Sequence, residues 1–302
     1  MISFGRLHGV LSPLVISRLV PRLHADTDMW ETIVRFSLFF ASIAVATAAP
    51  ALADHHAEAP ALEEVLASDH RAQDAARDQY RHPAETLGFF EVEPAMRVVE
   101  YGPGGGWYTR VLLPWIAPAG TYMAMQPDTG EPEAGEPTWA ERFVAASAAS
   151  TGVSADAITA FETDEITEDM HGTADRILVF RSLHGMLNNE IADTQLRAMR
   201  RLLADDGLVG VVQHRAPENA SYEEANGSRG YLRQADVIRL FAINGFDLVA
   251  ASEINANEND PADWPRGVWT LPPVLAGGDA DRERLTAIGE SDRMTLLFRK
   301  AD

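Results

Sequence analysis

The sequence predicts an α/β fold in which a mainly parallel sheet is covered by helices on both faces. Three observations carry that reading. Short apolar runs alternate with helical patterns from about residue 93 onward, a glycine-rich turn closes the first run, and 46% of the 302 residues are hydrophobic, enough for a full core. Lys and Arg number 25 against 45 Asp and Glu, a formal charge of -20, so a field of the wrong sign surrounds any polyphosphate partner. Nucleic acid and anionic membrane surfaces are thereby poor partners. The chain has no cysteine, which excludes disulfides, thiolate metal sites and a cysteine nucleophile.

Ahead of that domain, Arg35 precedes an apolar run from Phe36 to about Ala46, followed by small residues ending in Ala51-Leu52-Ala53. This is the layout of a secretory signal over 29–53 with an A-x-A cleavage site, and it predicts a periplasmic or secreted protein. An uncleaved anchor is the competing reading, since Phe36 to Ala53 is roughly the ~18 residues that barely span a bilayer. Pro50 and the absence of a following basic cluster argue against it. Residues 1–28 precede a second Met and carry scattered Arg and Leu without periodicity, which reads as an over-extended start. The rest divides into a helical segment over 54–92 and the main domain over 93–302.

Within 54–92, Leu62, Val65, Leu66, Ala72, Ala76 and Tyr80 fall at helical spacing and predict one opening helix over 61–81. His82-Pro83 stops it and starts a short second helix. Strands are expected at 96–100, 121–126, 158–163, 175–181, 208–214, 246–252 and 294–299. Helices are expected at 107–116, 138–150, 189–204 and 232–243, with Gly207 as the stop of the third. The 40-residue stretch 253–292 holds Pro261, Trp264, Pro265, Trp269, Pro272 and Pro273. Its composition predicts a packed insertion, either a lid over the sheet edge or a wall of a substrate pocket.

Glu100-Tyr-Gly102-Pro-Gly104-Gly105-Gly106 lies where the first strand turns into its helix. Glycines there permit positive φ and let backbone amides approach a ligand, and an acid at the strand end can accept from ligand hydroxyls or an ammonium. A β-carbon at Gly104 or Gly106 is expected to meet that ligand. The run resembles the first motif of class I S-adenosylmethionine-dependent methyltransferases. FRSLHGM at 180–186, GLVGVVQHRAPE at 207–218 and IGESDRM at 288–294 are similar, more narrowly, to a bacterial group of exported predicted methyltransferases. The resemblance implies a Rossmann-like sheet of six parallel strands plus an antiparallel last one. It also implies S-adenosylmethionine as cofactor over the first two strands, and a small molecule as methyl acceptor.

On that basis Glu100, Gly102, Gly104, Gly106, Gln126 and Asp164 are the expected cofactor residues. Gln126 ends the second strand where the family usually carries an acid that binds the ribose hydroxyls, and an amide makes a weaker clamp than a carboxylate. Asp164 is expected near the adenine amine, with an ordinary loop acid as the alternative. Arg181, His184 and His214 follow neighbouring strands and are expected to emerge with Glu100 along one edge. One of the two histidines can serve as general base, with a pKa near working pH. A methyltransferase fold binding another small ligand in the periplasm is the alternative function, favoured by Gln126 and by export away from the cytoplasmic supply of the cofactor. Cleavage after Ala53 also gives a terminus Asp54-His55-His56 whose amine and third-position His can wrap Cu(II) or Ni(II), though no metal is assigned.

Intact-mass analysis of periplasmic protein is expected to find a chain beginning at Asp54. Retention of residues 29–53 would overturn the cleavage site.

Overall fold

The computed structural model describes residues 59–302, so the signal segment, residues 1–28 and Asp54-His55-His56 lie outside the described residues. The single opening helix expected over 61–81 is broken into α1 (Leu62–Leu66), two 3-10 turns and α2 (Asp78–Arg81). Ser68 explains the first break, because its hydroxyl donates to the Val65 carbonyl at 2.5 Å and competes with the next helical turn. Arg71 then spends its guanidinium on the Leu66 carbonyl and on Asp78. The second helix follows as expected, α3 (Pro83–Phe89), with Pro83 at its first turn.

The sheet comprises β1 (Arg97–Tyr101), β2 (Thr121–Gln126), β3 (Thr159–Glu162), β4 (Ala174–Phe180), β5 (Leu203–Ala216), a two-residue β6 (Leu232–Arg233), β7 (Phe246–Ser252) and β8 (Arg293–Lys300). Its order is β3-β2-β1-β4-β5-β8-β7, with β6 pairing β5 off that path. Only β8 runs antiparallel to its neighbours β5 and β7. The Rossmann-like methyltransferase sheet expected from the resemblance is therefore present, with β6 as an addition.

Helices α4 (Thr109–Ile116), α5 (Trp139–Thr151), α6 (Leu183–Asn188), α7 (Ala192–Leu202), α8 (Tyr222–Ala225), α9 (Gln234–Ile243) and α10 (Arg282–Ile288) complete the fold. Strand residues alternate between two cores, as a sheet covered on both faces requires. Val99, Met123, Ile177 and Val211 meet α7 and α9 on one side, and Val98, Tyr122, Leu178 and Val212 meet α4 and the N-terminal segment on the other. Helix α5 starts where Thr138 and Glu141 form a capping box and stops at Gly152 in the left-handed region.

The helix expected over 189–204 is present as α7, and a further short helix, α6, precedes it across Glu190 at φ 58. One expectation fails in the middle of the chain. Gly207 does not stop a helix; it lies inside β5, where the ladder slips between Ala174↔Leu203 and Arg176↔Leu208 and an added β-carbon would sit 2.8 Å from the Ala174 carbonyl. The stretch 253–292 is packed by buried apolar residues, among them Val268, Leu271 and Leu285, and by polar contacts. Buried Asn255 donates to Thr86 and Thr295, and buried Asp260 accepts from Tyr231 and Trp264.

Phe90, at the end of α3, lies against Gly210 in the centre of β5, where a β-carbon would approach the ring to 2.5 Å. Gly210→Ala is expected to cost about 1–3 kcal/mol by pushing the ring off the sheet, read as a lower urea midpoint. An unchanged midpoint would mean that Phe90 swings clear.

Candidate functional site

The carboxyl ends of β1, β4 and β5 open into a cavity of ≈ 420 Å³. Glu100, Arg181, His184 and His214 all line it, together with Gly102 and Gly104 of the turn. Neighbouring parallel strands deliver their ends to one side, and β1, β4 and β5 are consecutive in the sheet. The imidazoles of His184 and His214 lie 5.8 Å apart between ring centroids. His214 lies within β5, a strand longer than the sequence suggested, and His184 lies in the first turn of α6. Gln126 and Asp164 do not line this cavity. Asp164 borders a separate cleft with Asp128 and Glu162.

Glu100 is 2% exposed. Its Oε2 accepts from Tyr122 Oη at 2.6 Å and Thr109 Oγ1 at 2.8 Å, while Oε1 makes no hydrogen bond among the described residues. Burial pushes its carboxyl up to about 7, and the hydrogen bonds from Tyr122 and Thr109 pull back only part of that rise. Gly102 and Gly104 sit at φ 60 and φ 54, conformations natural to glycine. A β-carbon on Gly102 would lie 2.8 Å from Ser182 Oγ, whereas on Gly104 it would find only the Gly102 carbonyl at 3.9 Å. Gly104 thus leaves open space. Gly106 departs from expectation, since a β-carbon there would meet Arg110 Nη1 at 3.0 Å, protein rather than ligand.

Burial lowers both histidines below their ordinary value, and His214 well below it, with the charges of Arg181, Arg293 and Arg81 deepening the effect. Both are therefore shifted toward the neutral form at pH 7, and His214 lies well below the range near working pH that the sequence suggested. Gln213 Nε2 donates to the Gly230 carbonyl at 2.8 Å, which fixes its amide, and approaches His184 Nδ1 at 3.5 Å. That contact places the His184 proton on Nε2. His214 Nδ1 lies 2.6 Å from Ser291 Oγ, which can accept from Nδ1–H and leave Nε2 free.

Arg77 and Arg81 carried no sequence signal that singled them out, whereas Trp269 and Pro273 lie in the stretch expected to be a lid or a pocket wall. Arg77 and Arg81 come from the N-terminal segment, and Trp269 and Pro273 from the stretch 253–292, which is thus a wall of the cavity. Glu290 and Ser291 brace members of the site, and Asp292 braces Arg215, the residue next to His214. Glu290 pairs Arg77, Arg81 and Arg293, Ser291 holds His214, and Asp292 holds Arg215. The short acidic-polar run before the last strand was the available signal. Arg181 has φ 58, a conformation that costs a bulky residue about 1–3 kcal/mol and is kept where the surroundings impose it.

No family model matches the chain, and no curated protein matches it. Solved structures do. A SAM-dependent methyltransferase from Aquifex aeolicus is 14% identical, over 65% of this chain and 94% of that one, with a TM-score of 0.43. The 1,6-didemethyltoxoflavin-N1-methyltransferase of Burkholderia thailandensis, with bound 1,6-didemethyltoxoflavin and S-adenosylhomocysteine, is 17% identical, over 80% and 87%, with a TM-score of 0.45. The CcbJ methyltransferase from Streptomyces caelestis is 12% identical, over 75% and 90%, with a TM-score of 0.43. These are likenesses of fold.

The raised Glu100 fixes the sign of a pH effect. Its carboxyl ionises more readily unfolded than folded, so its contribution to stability is present below the ordinary carboxylate pKa and is lost as pH rises toward about 7. Glu100→Gln is expected to gain about 2–3 kcal/mol on the wild type between about pH 5 and pH 8 in urea titrations. A constant difference across that range would show that Glu100 is ionised in the folded protein.

Proposed function

We propose that the chain is an S-adenosylmethionine-dependent methyltransferase acting on a small molecule, exported to the periplasm by residues 29–53. The observation that carries the reading is the open glycine turn at the end of β1, with the unpaired Oε1 of Glu100 beside it and two neutral histidines across the same cavity.

The residues fit the cofactor. Gly104 leaves room for a close approach, and Glu100 Oε1 offers an acceptor for an ammonium. At the end of β2, Gln126 Nε2 is engaged by Glu162 at 3.2 Å, but its Oε1 makes no hydrogen bond among the described residues and can accept from a ribose hydroxyl. Glu162 itself is occupied by Thr129 through both oxygens. Bound here, S-adenosylmethionine supplies an electrophilic methyl group. The protein's part is to hold the acceptor and take its proton. His214, free at Nε2 when Nδ1 donates to Ser291, is the base, and His184 is a donor that orients the acceptor. Asp164 remains a proposed contact for the adenine amine. A methyltransferase fold reused for another periplasmic ligand is the second reading, favoured by the absence of a free acid at the end of β2.

Calorimetric titration of the purified chain with S-adenosylhomocysteine separates the two readings: binding is expected for the wild type and is abolished in Gly104→Val, whose side chain enters the cavity. No binding to the wild type would leave the reused fold. With an acceptor that turns over, His214→Ala is expected to lower kcat by about 10²–10⁴ with cofactor affinity little changed. Because burial depresses His214, the acid limb of the pH profile should lie below its ordinary value of 6.5. A limb at or above that value would move the base elsewhere.

A further inference from the structure

The cavity is charged against the sign of the whole molecule. The chain carries -20, yet Arg77, Arg81 and Arg181 face this cavity, and Arg293 stands behind them. Three of these guanidinium groups pair with one ionised carboxylate. Glu290 Oε1 takes Arg77 at 2.6 Å and Arg81 at 3.2 Å, and Oε2 takes Arg81 at 3.1 Å and Arg293 at 3.0 Å. Arg81, 1% exposed, keeps Nη1 and Nη2 without hydrogen-bond partners, its guanidinium lying over the Trp107 ring at 4.6 Å. Arg293 is fully used by Glu290, Ser291 and Tyr80.

Arg181 has no such answer. Its side chain makes no hydrogen bond and no ion pair among the described residues, although it lines both this cavity and the adjoining cleft that runs to Pro127. Its backbone is held in the left-handed region by an N–H donated to the Val212 carbonyl at 2.6 Å, which aims the residue from the end of β4. The remaining groups do not neutralise it. Arg110 is engaged by Asp74, Glu100 has spent Oε2, and both histidines are neutral. A half-buried guanidinium left without a partner inside a cavity is poorly compensated, and its planar fork matches carboxylate and phosphate oxygens in pairs.

We propose that this cavity is an anion site in which Arg181 holds a carboxylate or phosphate head group of a small molecule, with Arg81 and Arg77 supplying the field behind it. That the molecule is the methyl acceptor rests on the methyl-transfer reading; the anion site does not. The two readings reinforce each other electrostatically. A sulfonium cofactor adds positive charge to a cavity already cationic, and an anion on Arg181 balances it. The acidic exterior explains why the anion is small, since a polyanion meets repulsion before it reaches an enclosed arginine.

The test is calorimetric titration of the purified chain at low ionic strength with inorganic phosphate and, separately, with acetate, alongside S-adenosylhomocysteine. One of the two anions is expected to bind with one-to-one stoichiometry, phosphate marking a phosphorylated ligand and acetate a carboxylate. Arg181→Gln should weaken that anion about tenfold or more, as loss of a charge-assisted pair requires, and Arg181→Lys should retain part of it. S-adenosylhomocysteine affinity in Arg181→Gln should stay within about twofold. The proposal is overturned if neither anion binds, if Arg181→Gln binds it as the wild type does, or if that variant loses S-adenosylhomocysteine instead, which would give the guanidinium to the cofactor. Anion binding that depends on Arg181 without any S-adenosylhomocysteine binding would sustain the anion site and remove the methyl-transfer reading.

Discussion

Everything around the cavity depends on the buried carboxylate of Glu290. Burial alone would raise its pKa, and the charges of Arg293, Arg81 and Arg77 outweigh that and bring it down to about 2. It therefore stays ionised across the range in which the protein works, and it releases its arginines only in strong acid. Removing one partner of such a buried network typically costs about 3–5 kcal/mol, because the charges left behind lose their compensation. Here the loss would fall on Arg77, Arg81 and Arg293 together. The one carboxylate sets where the cationic wall stands, and with it the field felt by Arg181 and His214.

Charge and burial divide the labour on the two sides of the cavity. The glycine turn and Glu100 form a wall whose carboxyl is held near neutrality by desolvation. The opposite wall is cationic and carries two imidazoles kept neutral by the same burial. A neutral imidazole beside fixed guanidinium groups can accept a proton without first losing one. Trp269 closes the third side, its ring edge-on to His184 at 6.0 Å. Trp269 belongs to a segment tied down by buried Asn255 and Asp260, and Asp260 accepts from Tyr231, whose ring lies 6.4 Å from that of His214.

Much of the fold was legible because it follows from periodicity and position. β2 and β7 fall on the residues expected, and the convergence of Glu100, Arg181, His184 and His214 needs only the strand order. The failures have local causes. The opening helix broke because Ser68 and Arg71 bond to the backbone and to Asp78, a competition invisible to apolar spacing. Gly207 follows a helical pattern like a helix stop, but its lack of a side chain serves a slipped strand ladder. The arginine wall was illegible because it joins residues more than two hundred positions apart, as Arg81 and Glu290 are, and no single stretch of sequence reports such a pairing. The depressed histidine pKa values were hidden for the same reason, since burial is a property of the assembled cavity.

That long-range pairing also orders events in time. Arg77 and Arg81 leave the ribosome more than two hundred residues before Glu290, 213 and 209 positions in turn. Contacts of such high sequence separation form late, after loop-closure entropy has been met elsewhere. A growing chain can therefore lay down β1, its glycine turn and β4 while the cavity still lacks its counter-charge, and the ligand-binding state arises only once Glu290 has folded back onto the early arginines.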